Sequence, residues 1–356
     1  MTLSCVVAMR RWCTLLIVII WLTGCGHKED SPPSPQPNPY RAELPLSITL
    51  DTLRQLLTPT LLVSVNGVQN QVILDTGSWG LRMLPGALKN ANLILTQKLL
   101  GYNYGSGTGE IYTRGREVNA TFSIGSLSTP APIHLMLIDT IRRSLSDPGR
   151  STLDSVAIPN AHFRSFAGIL GVGLRNGSSL DVASPLAQLP GTASFIVRFP
   201  VYGQASGKLI MNPNQDELSG FTFFSLTKGL YPLPNGLPSW LDNQVNGIAL
   251  LNGSPVRAPT LLDTGTSPSE IYANGLPNYG LLGKGTVVHL GVGQAGQAVS
   301  LVDTSFSVNT RVAGRDRFYT YASTTGEPSL VYGTNFFFAF DVYYDQQGGR
   351  IGLKKK

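Results

Sequence analysis

Two short stretches hold the residues best suited to chemistry. Residues 73–78 read ILDTGS and residues 261–266 read LLDTGT. In each, two apolar residues lead into an aspartate, a threonine and a glycine, and a hydroxyl residue follows. A carboxylate at the end of an apolar strand is costly to bury unless something pairs with it. The second copy is the candidate partner, because one copy lies in each half of the chain. Two carboxylates held about 3 Å apart cannot both ionise comfortably, so they keep one proton between them. One then acts as base toward a shared water and the other as acid toward a carbonyl oxygen. That is enough for amide hydrolysis with neither a metal nor a covalent intermediate. The proton losses belong to the pair. Asp75 and Asp263 are therefore the candidate catalytic pair; the competing reading is two structural bends meeting at a lobe interface.

The neighbouring residues fit the same chemistry. Gly77 and Gly265 permit a tight turn and a close backbone approach. Thr76 and Thr264 could tie the two turns together by hydrogen bonds. Ser78 and Thr266 could donate to the outer carboxylate oxygens, which favours the charged form.

The elements that position these residues are mainly strands. From about Leu44 onward, short apolar runs alternate with turn residues, as in TLLVSV-NG-VQNQVILD, VNATFSIGS, APIHLMLID, SFIVRFP, GKLIM and GTVVHLGVG. Asn66-Gly67 and Asn252-Gly253 are hairpin-turn dipeptides. Helical periodicity is confined to DTLRQLL (51–57) and SPLAQL (184–189), each read as a single helical turn. An internal repeat supports two related halves: VNGVQNQVILDTGS (65–78) parallels LNGSPVRAPTLLDTGT (251–266). Two such lobes, related by a rough two-fold, would bring the acidic turns face to face.

Composition removes several alternatives. Charged residues are 13% of the 356, well under the usual quarter, while Gly (39) and Pro (24) are frequent. This suits a turn-rich β protein. The net charge of +6 includes Arg10, Arg11 and the final Lys354-Lys355-Lys356, and no basic stripe with interleaved aromatics suggests nucleic acid. The reading is a solvated surface with a basic tail. GVGQAG (291–296) matches GxGxxG, but the alternating QAVSLVDTSFSV that follows reads as a strand where a dinucleotide site needs a helix. His27, His134, His162 and His289 are scattered without ligand spacing, and surface or loop positions are expected. No G-x-S-x-G elbow supports a serine hydrolase. Asp139, Asp303 and Asp341 read as turn or strand-end residues. No metal or cofactor is expected.

Several segments, taken in order, resemble those of pepsin-like aspartic peptidases over most of residues 55–353. VYGTNFFFAFDVYYDQQGGRIGL (331–353) resembles the family's closing segment, and FAGILGVGL (166–174) the matching segment of the first lobe. The family's apolar-apolar-Gly loops fall on Ile169-Leu170-Gly171 and Val331-Tyr332-Gly333. SWLDNQVNGIALLNG (239–253) resembles the second-lobe strands before the second Asp. YNYGSGTGEIY (102–112) looks like the flap, a hairpin that closes over substrate, with Tyr104 or Tyr102 as its tyrosine. The resemblance implies an all-β, bilobal, pepsin-like acid protease fold, two related β-barrel-like lobes with an active-site cleft between them. It also implies hydrolysis of a polypeptide substrate bound extended, with Gly105, Gly107 and Gly265 presenting backbone groups to it. One departure stands out: Arg82 occupies the place of an aromatic that normally bonds the flap tyrosine. An always-charged group there pairs nearby or lowers the carboxylates' pKa values. Arg82 motivates the alternative of a catalytically inactive binding module for a peptide or glycan at the cell envelope. A structural lipoprotein without a ligand is the third reading.

The first residues read as an address. Arg10 and Arg11 precede TLLIVIIWL, and LTGC ends at Cys25. A positive flank, a short apolar core and small residues before a cut site are signal-peptide features. The run falls short of the roughly 20 apolar residues of a membrane span. LTGC resembles the lipobox of bacterial lipoproteins, which implies cleavage before Cys25 and a thiol carrying lipid such as palmitate. Translation begins at Met1 or Met9. Cys5 and Cys13 would leave with the peptide, so no disulfide is expected. The expected organisation is a signal peptide (1–24), a lipidated Cys and Pro-rich linker (25–43), an N-terminal lobe (44–204) and a C-terminal lobe (205–356). A monomer is expected on the periplasmic side of the cell envelope, and Gly26 after the Cys resembles outer-membrane sorting.

Overall fold

The computed structural model describes residues 38–52, 55–105, 111–143, 162–177, 182–191, 194–204, 206–277, 280–294, 301–309 and 316–356. The signal segment, Cys25, nearly all of the Pro-rich linker and Gly107 lie outside the described residues. From Tyr40 onward the chain forms one compact unit.

Among the described residues that unit is mainly strands, in a fifteen-stranded and an eight-stranded sheet. Local chemistry accounts for the hairpins. Leu56–Val65 and Val68–Asp75 pair antiparallel across Asn66-Gly67, both at positive φ (46° and 82°). Val245–Leu251 and Ser254–Leu262 pair across Asn252-Gly253, at 48° and 87°. Two successive left-handed residues give the turn whose twist matches the strands, and Asn and Gly tolerate it best. Of GVGQAG, Gly291 and Val292 end the strand Val287–Val292, which pairs antiparallel with Val302–Ser307, while Ala295 and Gly296 lie outside the described residues.

SPLAQL contains one 3-10 turn, Leu186–Gln188, as its periodicity suggests. DTLRQLL does not form a helical turn. Asp51 ends the strand Ala42–Asp51, pairs with Leu56, and Gln55 takes a φ of 57° in the turn between them. Leu56 and Leu57 begin the next strand, where Leu57 is buried, and Leu53 and Arg54 lie outside the described residues.

The two halves repeat one motif around the acidic bends. In the first, Gly168–Val172 runs parallel to Val68–Asp75 and antiparallel to Trp79–Met83. In the second, Ser329–Tyr332 runs parallel to Ser254–Leu262 and antiparallel to Ser269–Ala273. Each apolar-apolar-Gly segment thus threads between the strand entering its bend and the strand leaving it. The glycines are required there: a Cβ on Gly171 would lie 2.7 Å from Trp79 backbone, and one on Gly333 2.5 Å from the Thr266 carbonyl oxygen. Leu74, Leu170, Leu262, Tyr332, Phe336 and Phe340 pack in one continuous core that draws on both sheets. Each such fully buried side chain contributes about 2 kcal/mol of apolar transfer free energy.

The chain's end returns to the larger sheet. Phe340–Asp345 pairs with Ser194–Arg198, and Arg350–Lys355 with Phe340–Asp345. The last lysines, read as a solvated basic tail, close this sheet, and Lys355 and Lys356 remain exposed. Lys354 and Lys355 belong to the final strand. The Lys356 ammonium donates to the carbonyls of Phe199 (2.7 Å) and Phe337 (2.9 Å) and faces Asp341 at 3.5 Å. Burial lowers its pKa to about 8. Asp341 also pairs with Arg198 at 2.6 Å, and Asp139 sits inside the strand Ile133–Arg143, paired with Arg116.

Candidate active site

The apolar run of each strand fixes the direction of its aspartate. Leu74 and Leu262 are buried, so the next residue leaves the core where the strand ends. Gly77 N–H donates to Asp75 Oδ1 at 2.8 Å, Ser78 N–H to the same oxygen at 3.1 Å, and Ser78 Oγ to Oδ2 at 2.6 Å. The second bend repeats this pattern: Gly265 N–H donates to Asp263 Oδ1 at 2.7 Å and Thr266 Oγ1 to Oδ2 at 2.6 Å.

The bends interlock. Thr76 Oγ1 donates to the Leu262 carbonyl (2.8 Å) and accepts from Thr264 N–H (2.9 Å). Thr264 Oγ1 donates to the Leu74 carbonyl (2.8 Å) and accepts from Thr76 N–H (3.0 Å). Both threonines are fully buried. Four buried hydrogen bonds at about 1 kcal/mol each make this crossing a strong local constraint. The carboxylates lean over the opposite glycines as a result. A Cβ on Gly77 would lie 2.5 and 2.6 Å from the Asp263 oxygens, and one on Gly265 would lie 2.8 Å from Asp75 Oδ1. No residue but glycine fits at either place. Tyr344 supports the crossing: its hydroxyl donates to the Leu262 carbonyl at 3.3 Å.

The pair behaves electrostatically as one unit. Asp75 is raised from the usual carboxylate range to about 7, first by burial and then by the charge of Asp263, with which it shares a side-chain hydrogen bond. Donation from Ser78 and Gly77 works in the opposite direction and only partly offsets these effects. Burial and mutual repulsion therefore favour one proton held by the pair.

The hairpin formed by Ile94–Tyr104 and Ile111–Ala120 brings aromatic rings to the first bend. Tyr102 and Tyr104 share one face, as alternate residues of a strand must. Tyr102 packs edge-on against Trp79 (5.3 Å between centroids), and the Arg82 guanidinium lies 3.4 Å from its ring centre. Both tyrosines feel the charge of Asp75, and Asp263 is among the main charges acting on Tyr102. Tyr104 lies further back, against His162 at 4.8 Å. Tyr102 is thus the tyrosine placed against the pair, and His162 is packed rather than superficial. Gly105 stands exposed at the end of the strand, at a φ of 75°.

Arg82 is 2% exposed. Its guanidinium donates to the carbonyls of Trp79 (2.5 Å) and Gly80 (3.3 Å). Sequence reasoning missed a second arginine. Arg175 donates to the Gly77 carbonyl at 2.7 Å, lies 5.0 Å from the Trp79 ring centre, and pairs at 2.5 Å with buried Asp242. Asp242 Oδ2 accepts from Leu174 N–H at 2.6 Å. FAGILGVGL ends one residue before Arg175, so no motif marked it; the only signal was an arginine adjoining a buried loop. Among the described residues, no three His, Cys, Asp or Glu side chains form a metal-binding group, so no residue is assigned to a metal.

No family model matches the chain, and no curated protein matches it. Among solved structures it is similar to the aspartic proteinase from Irpex lacteus, with a TM-score of 0.52, 16% sequence identity, and coverage of 89% of this chain and 97% of that one. At that identity the likeness concerns backbone architecture alone. Two related β-rich halves, one acidic bend in each, and this likeness over nearly the full length of both chains lead to one conclusion: the chain has an all-β, bilobal fold of the pepsin-like aspartic proteinase type.

Proposed function

We propose that this chain is an aspartic endopeptidase. The observation that carries the reading is the reciprocal crossing of the two bends, which sets the Asp75 and Asp263 carboxylates beside each other as a coupled pair that favours one shared proton. A water held between the carboxylates loses a proton to the ionised member and attacks the peptide carbonyl carbon. The protonated member gives its proton to the carbonyl oxygen. The resulting gem-diol collapses: one of its hydroxyls returns a proton to the pair, the C–N bond breaks, and the amine leaves with the proton taken from water. The pair returns to its one-proton state, and water has been added across the amide. The hairpin bearing Tyr102, Tyr104 and Gly105 covers the bound polypeptide, and Gly77, Ser78, Gly265 and Thr266 line the site.

Cleavage of casein or of a quenched peptide library between about pH 3 and 7 tests this. Asp75→Asn and Asp263→Asn should each abolish it. Wild-type protein that neither cleaves in that range nor binds a statine-type inhibitor overturns the proposal. A non-catalytic binding module is the second reading, supported by buried Arg82 stacked on Tyr102. It predicts retention of peptides without cleavage.

The anchoring reading completes the proposal. Cys25 carries the lipid, the linker spaces the body from a bacterial membrane, and the enzyme works on the periplasmic side, at the outer membrane. Labelled palmitate incorporated by the wild type and lost in Cys25→Ala supports it; a protein released unlabelled contradicts it.

A further inference from the structure

Arg82 has a counterpart of opposite charge. It stands seven residues after Asp75, and Glu270 stands seven residues after Asp263. The register makes the correspondence structural. Arg82 pairs with Ile169, the first residue of one apolar-apolar-Gly segment, and Glu270 pairs with Val331, the first residue of the other.

The two side chains are treated differently. Arg82 is sealed in, with its charge spread over two carbonyls and a tyrosine ring. Glu270 is only partly buried. Its carboxylate accepts from the Tyr272 hydroxyl at 2.6 Å and from Tyr321. The Tyr272 and Tyr321 rings stack at 4.8 Å with an interplanar angle of 14°. Glu270 also feels the like charge of Asp263, and among the described residues no cation acts on it. The nearby Arg317 is bonded to the Tyr319 hydroxyl instead, at 2.7 Å. A half-buried carboxylate beside a second carboxylate is unfavourable. Beside a flat pair of aromatic rings, it supplies the two features that recognise an organic cation: an opposite charge and electron-rich faces.

We infer that Glu270 is a specificity-determining residue that receives a cationic side chain, Lys or Arg, of the polypeptide bound at the Asp75–Asp263 pair. The inference rests on the peptide-binding part of the proposed function and not on cleavage. The Tyr272–Tyr321 stack forms the wall along which the aliphatic stem lies, and the ammonium or guanidinium meets the Glu270 carboxylate. Arg82 cannot play the mirror role for an acidic side chain, because its guanidinium is covered by Tyr102.

The test uses statine-type peptides that bind without being cleaved, identical except for Lys, norleucine or Glu at each residue flanking the statine in turn. Affinities are read on the whole protein by calorimetry at about pH 7. At one flanking position the Lys peptide should bind about ten-fold tighter than norleucine, and norleucine tighter than Glu, as expected of a partly desolvated charge pair. Glu270→Gln should reduce the Lys advantage to about three-fold or less, and Glu270→Lys should reverse the order. The ligand series in wild-type protein carries the test even where a variant fails to fold. Equal affinities for the three peptides at every position, or no binding of any, overturns the inference. Preferential binding of Lys peptides without hydrolysis of the peptide library keeps the inference and removes the endopeptidase; hydrolysis with no Lys preference does the reverse.

Discussion

The first and second bends share a backbone plan and differ in what surrounds them. Asp75 takes a donor from Ser78 N–H in addition to the glycine amide and hydroxyl contacts that Asp263 also has. Arg175 grips the carbonyl of Gly77, and Trp79, Tyr102 and Arg82 are stacked beside that bend. The second bend has the partly buried Glu270 and its tyrosines. The first half is therefore the sealed, cation-rich side and the second the open, acidic side. Symmetry of the backbone brings the carboxylates together, and the side chains around the two bends differ in charge.

The largest effect expected from breaking this arrangement is on activity. Replacing either aspartate by asparagine leaves a pair that cannot both take and give a proton. Peptide hydrolysis should fall by at least about 10³-fold in each variant, with equal loss on both sides. A variant that keeps a tenth of wild-type activity would show that the halves do not act jointly.

The proton preference makes the second prediction. An acid whose folded pKa is raised binds its proton more tightly in the folded state. Its stabilising contribution is present at low pH and is lost as pH rises through the folded value, about 7 for Asp75. Asp75→Asn removes the buried charge that appears above that value. Thermal unfolding should show the variant more stable than wild type at about pH 8, by about 2 kcal/mol or more, with the gap closing toward about pH 4. A gap that widens toward acid contradicts the assignment.

The close approaches give the third. Gly77 faces the opposite carboxylate more tightly than Gly265 does, at 2.5 Å against 2.8 Å for an added Cβ. Gly77→Ala should therefore destabilise more than Gly265→Ala, each by about 1–3 kcal/mol in denaturant unfolding. The threonines sharpen the contrast. Thr76→Val leaves the Leu262 carbonyl with the Tyr344 donor, whereas Thr264→Val removes the Thr264 donor from the Leu74 carbonyl. Thr264→Val should be the costlier, by about 1 kcal/mol.

Much of this site was legible in the residues. The repeated Asp-Thr-Gly with a following hydroxyl fixed the types and order of the contacts, because those bonds lie within three residues of each aspartate or cross between identical bends. The hairpins followed from Asn-Gly. Contacts between distant strands were not legible. Tyr102 rather than Tyr104 faces the pair because of the hairpin's register, and local pattern leaves both open. Arg175 and Asp242 meet through chain connectivity that no short motif encodes. DTLRQLL has apolar spacing that suits a turn of helix, and pairing of Asp51 with Leu56 overrides it. The lysine run ends in an ammonium held by the carbonyls of Phe199 and Phe337, contacts between distant segments.

The smallest effect expected separates the sealed charge from the open one. Arg82→Met removes a desolvated cation–π contact with Tyr102 and should cost about 1–2 kcal/mol, with faster amide exchange in Ile94–Tyr104. Glu270→Gln should change stability by no more than about 0.5 kcal/mol. Equal costs would show that the two charges are buried alike.

The central claim is that two bends, one from each half, act as a single acid–base unit. Its most direct test is the pH profile of kcat/KM for a quenched peptide, measured for wild type, Asp75→Asn and Asp263→Asn. The account predicts a bell-shaped wild-type profile with both limbs belonging to the pair, and no measurable profile in either variant. A flat wild-type profile, or a variant that keeps one limb, would contradict it.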